Sequence, residues 1–88
     1  MDVETFRSKS TPGILEELRL RRRWLITEIK KFEGKYGMSS RDFYEKWSKG
    51  LLPEPLDPEV HGDFMIWYGL IEELDNVEEE LKRKLRTR

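Results

Sequence analysis

The stretch that decides the fold is residues 63–85, DFMIWYGLIEELDNVEEELKRKL. Its first third, Phe64 to Ile71, contains no charged residue, although 40% of the chain is charged. Apolar side chains then recur at three- and four-residue intervals as far as Leu85, which predicts one long helix. A helix that is apolar all round must be covered on every side, so the rest of the chain or a partner must pack around this segment.

A second long helix is predicted at residues 12–36. Thr11 followed by Pro12 fits an N-cap with proline at the first helical position, and Gly37 fits a C-terminal cap. The apolar seam of this helix has one interruption, Arg22. Folding the two helices antiparallel aligns their seams, pairing Leu18 with Leu81, Leu25 with Leu74, Ile29 with Leu70, and Phe32 with Trp67. Because two independent seams agree in register, we expect an antiparallel helical hairpin.

Between the long helices the sequence predicts a short lid helix at 40–49 and a loop at 50–62. Ser39, three residues before Asp42, fits an N-cap for the lid. The second long helix then starts either at Asp57-Pro58 or after Gly62, and we favour the latter, with Asp63 as the N-cap and the helix ending at 86. Residues 1–10 are predicted to be a flexible arm, so residues 11–88 form one all-α domain.

Composition narrows the function classes. The chain has 88 residues, no cysteine, and 17 basic against 18 acidic side chains, for a net charge of -1. Disulfides are therefore excluded, and no global charge favours nucleic acid. No signal peptide or membrane-length apolar run is present, which predicts a cytoplasmic protein without membrane contact. The absence of Gln and the single Asn76, beside abundant Glu, Lys and Arg, match the thermophile pattern.

The sequence offers no catalytic constellation. No nucleophile stands at a recognisable spacing from a base, and no glycine-rich phosphate loop occurs, so we expect neither enzymatic activity nor a cofactor. His61 has Asp57, Glu59 and Asp63 nearby, but this spacing matches no metal-binding motif. We therefore expect no metal site.

Surplus apolar side chains indicate a protein interface. Some of them lie on the sides of the long helices that face away from the seams, and Gly69 lies among them. A glycine inside a helix costs about 1 kcal/mol relative to alanine, so another backbone is expected to approach there. We expect a homodimeric four-helix bundle or a different protein partner, contacted by Leu20, Arg22, Trp24, Met65, Ile66, Trp67, Tyr68 and Gly69.

Basic side chains are the basis of alternative functions. Arginines cluster at 19–23, and the chain end is basic as well; DNA or RNA binding would use Arg19, Arg21, Arg23, Lys82, Arg83 and Arg86. The competing interpretation is that the arginine run pairs with Glu78–Glu80 inside the hairpin. Arg22 interrupts the seam, so it either extends outward over Val77 or is buried against an acidic group of another chain. A purely structural homo-oligomer is a third possibility.

Two stretches carry a family resemblance: KYGMSSRDFYEKWSKGLLPE at 35–54 and HGDFMIWYGLIEEL at 61–74. With the helix before them, they resemble small archaeal and bacterial antitoxin-like proteins that are encoded beside a small toxin. The similarity covers residues 14–85. It implies a protein that binds and silences a cognate toxin. Many antitoxins also carry a separate DNA-binding element, but the first helix here is about twice too long for a ribbon-helix-helix fold.

Overall fold

The computed structural model describes residues 11–86, with side chains from residue 13 onward. This part of the chain forms three helices, α1 (Thr11–Tyr36), α2 (Ser40–Ser48) and α3 (Pro58–Arg86), and contains no strand. The all-α prediction is therefore confirmed, while the arm predicted at 1–10 lies outside the described residues. Between residues 11 and 86, no helix combines the length and apolar character that a membrane crossing requires.

The two long helices pack against each other antiparallel, in the register that the seams predicted. Residues later in α1 contact residues earlier in α3. Arg22 pairs with Glu78, the Phe32 and Trp67 rings stack at 5.9 Å, and Tyr36 meets Phe64 edge-on at 5.2 Å. Leu25 is fully buried, and Leu15, Ile29 and Val77 are nearly so. The α1 seam is thus covered by α3 along most of its length.

Trp67 is the centre of the core. Its ring lies parallel to that of Phe43 at 4.0 Å, and neither side chain is exposed to solvent. Its indole Nε1 donates a hydrogen bond to Ser40 Oγ at 2.9 Å, so the one polar atom of the buried ring has a partner. Because Phe43 and Ser40 belong to α2, this side chain joins the short helix to the hairpin.

Helix α2 is bounded as the sequence predicted. Ser39 is the N-cap, and its Oγ accepts a hydrogen bond from the Asp42 amide at 3.1 Å. Gly37 and Gly50 flank the helix with φ of 61° and 70°, a left-handed conformation that glycine adopts without strain. The chain therefore reverses sharply on both sides of α2, which lets the helix fold back over the hairpin.

The favoured start of α3, at Asp63, is wrong, and the alternative start at Asp57-Pro58 is correct. The helix begins at Pro58, five residues before Asp63, because Asp57 Oδ1 accepts from the Glu59 amide at 2.9 Å and caps the first turn. Asp63 lies inside the helix and joins it to α1, accepting hydrogen bonds from Lys35 Nζ at 2.7 Å and the Tyr36 hydroxyl at 2.5 Å. The bond from Lys35, and then that from Tyr36, holds the pKa of Asp63 below its ordinary value.

The hairpin is elongated. The radius of gyration of its Cα atoms is 16.6 Å, whereas roughly 12 Å is typical of a compact domain of this length. Helix α2 packs on α3 near the connecting end, where Trp47 meets His61, Phe43 meets Phe64, and Tyr44 stacks on Tyr68. One nine-residue helix covers one side of that end, so large parts of both long helices remain exposed.

Candidate functional site

Two of the predicted protein contacts belong to the monomer's own packing. Trp67 is fully buried, so it cannot touch a partner while the fold is intact. Tyr68 is covered by α2, since its ring stacks on Tyr44 at 4.6 Å and its hydroxyl lies 3.3 Å from Ser48 Oγ. The prediction of Trp67 as a partner contact is therefore wrong, whereas Tyr68 is partly exposed beside α2 and its role as a partner contact stays a prediction. The seam had already paired Trp67 with Phe32, but the apolar run Phe64–Ile71 did not show that α2 would pack on Tyr68.

The other predicted apolar contacts are all exposed, and we call them together the open face: Leu20, Trp24, Met65, Ile66 and Gly69. The four large side chains are each about half exposed, with Trp24 at 50% and Ile66 at 56%. On α1, Leu20 and Trp24 are four residues apart and share one stripe. On α3, Ile66 lies about 160° around the helix from Tyr68 and is turned away from α2, whereas Met65 lies only about 60° from Tyr68.

An ion pair connects α1 and α3, the two helices that carry the residues of the open face. Arg21 Nε donates to Glu73 Oε2 at 2.8 Å across the hairpin, and the Arg21 guanidinium lies 6.0 Å from the centre of the Trp24 ring. Glu73 is one helical turn beyond Gly69, and Gly69 is one turn beyond Ile66. The helix register predicted from the sequence placed the arginine run beside Glu78–Glu80 and did not predict this pair. Arg21 instead binds Glu73, which lies nearer the end of α3 that is connected to α2.

Gly69 has open space around it. A Cβ atom added there would meet nothing within 4 Å, so no backbone among residues 11–86 makes the close approach predicted at this glycine. The helix surface at Gly69 is instead flat and reachable by another molecule. A shallow groove runs past it along α3 and up to α1, lined by Leu18, Arg21, Gly69, Glu72, Glu73, Asn76, Val77 and Glu80.

Arg22 is exposed and is paired within the hairpin. It lies on the surface, where its Nε donates to Glu78 Oε2 at 3.0 Å. Within this chain Arg22 therefore extends outward, as one interpretation expected, while its burial against an acidic group of another chain stays a prediction. Adjacent residues are about 100° apart around a helix, so Arg21 and Arg22 lie on opposite sides of the line along which α1 meets α3.

The residues predicted for nucleic-acid binding divide into three groups. Arg21 and Arg83 are engaged by Glu73 and Glu80. Arg19 and Arg23, with Arg22, line a second groove, on the side of the hairpin away from the Arg21–Glu73 pair; we call it the basic groove. The remaining two, Lys82 and Arg86, are exposed on the last turns of α3. Pairing within the hairpin thus accounts for part of the arginine run but not all of it.

His61 serves the packing of α2. Its ring meets Trp47 edge-on at 6.4 Å, and its Nε2 lies 3.3 Å from Glu54 Oε1 in the connecting loop. Among residues 11–86, no three histidine or acidic side chains are grouped closely enough to hold a metal ion.

Comparisons with protein-family models, with curated proteins and with solved structures found no match for this chain. The antitoxin resemblance therefore stays a prediction.

Proposed function

We propose that this protein is a cytoplasmic binding module that associates stoichiometrically with another protein through the open face, and that the partner is a toxin which it neutralises. The observation that carries the proposal is the half-exposed Trp24, one of four large apolar side chains of the two long helices that remain open to solvent, with Leu20, Met65 and Ile66. Groups of exposed apolar side chains on soluble proteins usually mark contacts. The toxin as partner is what the resemblance of residues 14–85 implies.

The chemistry of the open face suits a protein ligand. Tryptophan and arginine are the residues most enriched among those that dominate binding energy, and here Arg21 lies against Trp24 at the middle of the hairpin. Glu73 holds the Arg21 side chain in place, so less of its conformational freedom is lost on binding. The surface therefore offers an aromatic anchor beside a fixed charge.

A second copy of this chain is the competing occupant. Two open faces packed together would give the four-helix dimer expected from the sequence, and a glycine without neighbours would allow two helices to approach closely. Self-association and toxin binding use the same surface in this proposal, so they should exclude each other. A dimer that resists dissociation by the purified toxin would favour the purely structural role.

The first experiment is to recover the tagged protein from its native host and identify what is bound to it. If the proposal holds, a small protein encoded beside this chain is recovered with it in equal amount. That small protein arrests growth when it is expressed alone, and coexpression of this chain relieves the growth arrest. Substituting Trp24→Ala should weaken the complex by roughly 30-fold or more, the effect of removing a central aromatic anchor.

Leu56→Ala provides the matched control. Leu56 is 98% exposed in the connecting loop, so this variant also removes an exposed apolar side chain, but one outside the open face. It should bind the toxin like the unaltered chain. Equal affinity of the Trp24→Ala and Leu56→Ala variants, with unchanged circular dichroism, would overturn the assignment of the open face.

A further inference from the structure

The basic groove combines positive charge with an apolar floor. It is an open groove of about 510 Å³. Its cations are Arg19, Arg22, Arg23 and Lys30, and its apolar side chains are Ile26, Leu81 and Leu85. None of its lining residues carries a carboxylate. The floor is partly open to solvent, since Leu85 at the end of α3 is 47% exposed.

Most of this positive charge is not neutralised by the part of the chain that the structure describes. Arg22 pairs with Glu78 at 3.0 Å, but within residues 11–86 neither Arg19, Arg23 nor Lys30 forms an ion pair. Elsewhere on α1 the cations are engaged, as Lys31 is by Glu28. The groove thus concentrates uncompensated positive charge in a chain whose net charge is -1.

The other side of the hairpin has the opposite character. The groove past Gly69 is lined by three carboxylates, those of Glu72, Glu73 and Glu80, against the single cation Arg21. An acidic ligand is therefore attracted to one side of the hairpin and repelled from the other. The sign of the charge distinguishes the two grooves even though their sizes are similar.

We propose that the basic groove binds an acidic amphipathic helix of a partner protein. Such a helix would place an apolar stripe on Ile26, Leu81 and Leu85 and direct carboxylates toward Arg19 and Arg23, the usual way in which a helix occupies a groove between helices. A nucleic acid fits less well, because the lining contains no aromatic ring for base stacking. Four cations are also fewer than the 6–10 phosphate contacts of a typical duplex binder.

The test uses the whole protein and a fluorescein-labelled helical peptide of about four turns, with leucines on one stripe and glutamates flanking it. We expect fluorescence anisotropy to show binding that weakens as salt is added. The double variant Arg19→Ala/Arg23→Ala should bind roughly three- to tenfold more weakly, as expected for the loss of two exposed charge pairs. Leu85→Ser should also weaken binding, because it removes part of the apolar floor.

The matched control is Arg41→Ala, which removes an exposed arginine from α2, outside the groove; it should leave peptide affinity unchanged. Equal loss in Arg41→Ala and the double variant would overturn the proposal. So would equal binding of the same peptide with lysine in place of glutamate, or tighter binding of duplex DNA of the same length. Because Trp24 lies outside the groove, Trp24→Ala should bind the peptide normally, so this inference and the proposed use of the open face can fail separately.

Discussion

Replacing Gly69 with alanine tests whether the open face is free in the isolated protein. Gly69 lies in the middle of α3, and a Cβ atom added there meets nothing within 4 Å. The substitution therefore introduces no clash and gains the helix propensity of alanine, about 1 kcal/mol. For a domain of this size that gain corresponds to a rise in Tm of roughly 4–8 °C.

Gly34→Ala is the matched control, because Gly34 also lies within a long helix, is exposed, and has nothing within 4 Å of its would-be Cβ. Thermal unfolding followed by circular dichroism at several protein concentrations should show similar increases in Tm for both variants. If Gly34→Ala raises the Tm while Gly69→Ala leaves it unchanged or lowers it, another chain already contacts the helix at Gly69. The open face would then be an interface between copies of this protein.

Two further substitutions test the joints that hold the helices together. Ser40→Ala leaves the buried Trp67 indole N–H without an acceptor, so it should lower the free energy of unfolding measured in urea by about 1–3 kcal/mol. Ser48→Ala, at an exposed position, should lower it much less. Equal losses in the two variants would contradict the role given to the hydrogen bond of Trp67. Lys35 holds the pKa of Asp63 below its ordinary value, so the contribution of this carboxylate to stability is present above about pH 4 and is lost as the pH falls through the lowered pKa. Asp63→Asn should therefore be less stable than the unaltered chain at neutral pH and equally stable in acid, and a gap that persists in acid would exclude the carboxylate as its cause.

The sequence alone predicted the architecture because periodicity and caps act locally. The α1 seam and the α3 seam each follow helical spacing and align with each other in one antiparallel register, which the stacking of Phe32 on Trp67 confirms. The boundaries of α2 were equally accessible, since Ser39, Gly37 and Gly50 are residues with strong positional preferences.

The details that the sequence could not determine depend on tertiary contacts. Asp57 and Asp63 are both suitable N-caps, and the choice between them depends on Lys35 and Tyr36, which recruit Asp63 from another helix. The roles of the apolar run at 64–71 likewise depend on where α2 docks. Periodicity shows that the run is apolar on every side but does not show which side the lid covers.

The uneven distribution of aromatic rings has a consequence for how the molecule opens. Phe32, Tyr36, Phe43 and Phe64 all surround Trp67 near the connecting end, whereas Leu85 at the far end is nearly half exposed. Local opening is easiest where few apolar contacts must be broken. The hairpin should therefore fray from its free ends toward the aromatic cluster, and amide hydrogens near Trp67 should exchange with solvent only when the whole domain unfolds.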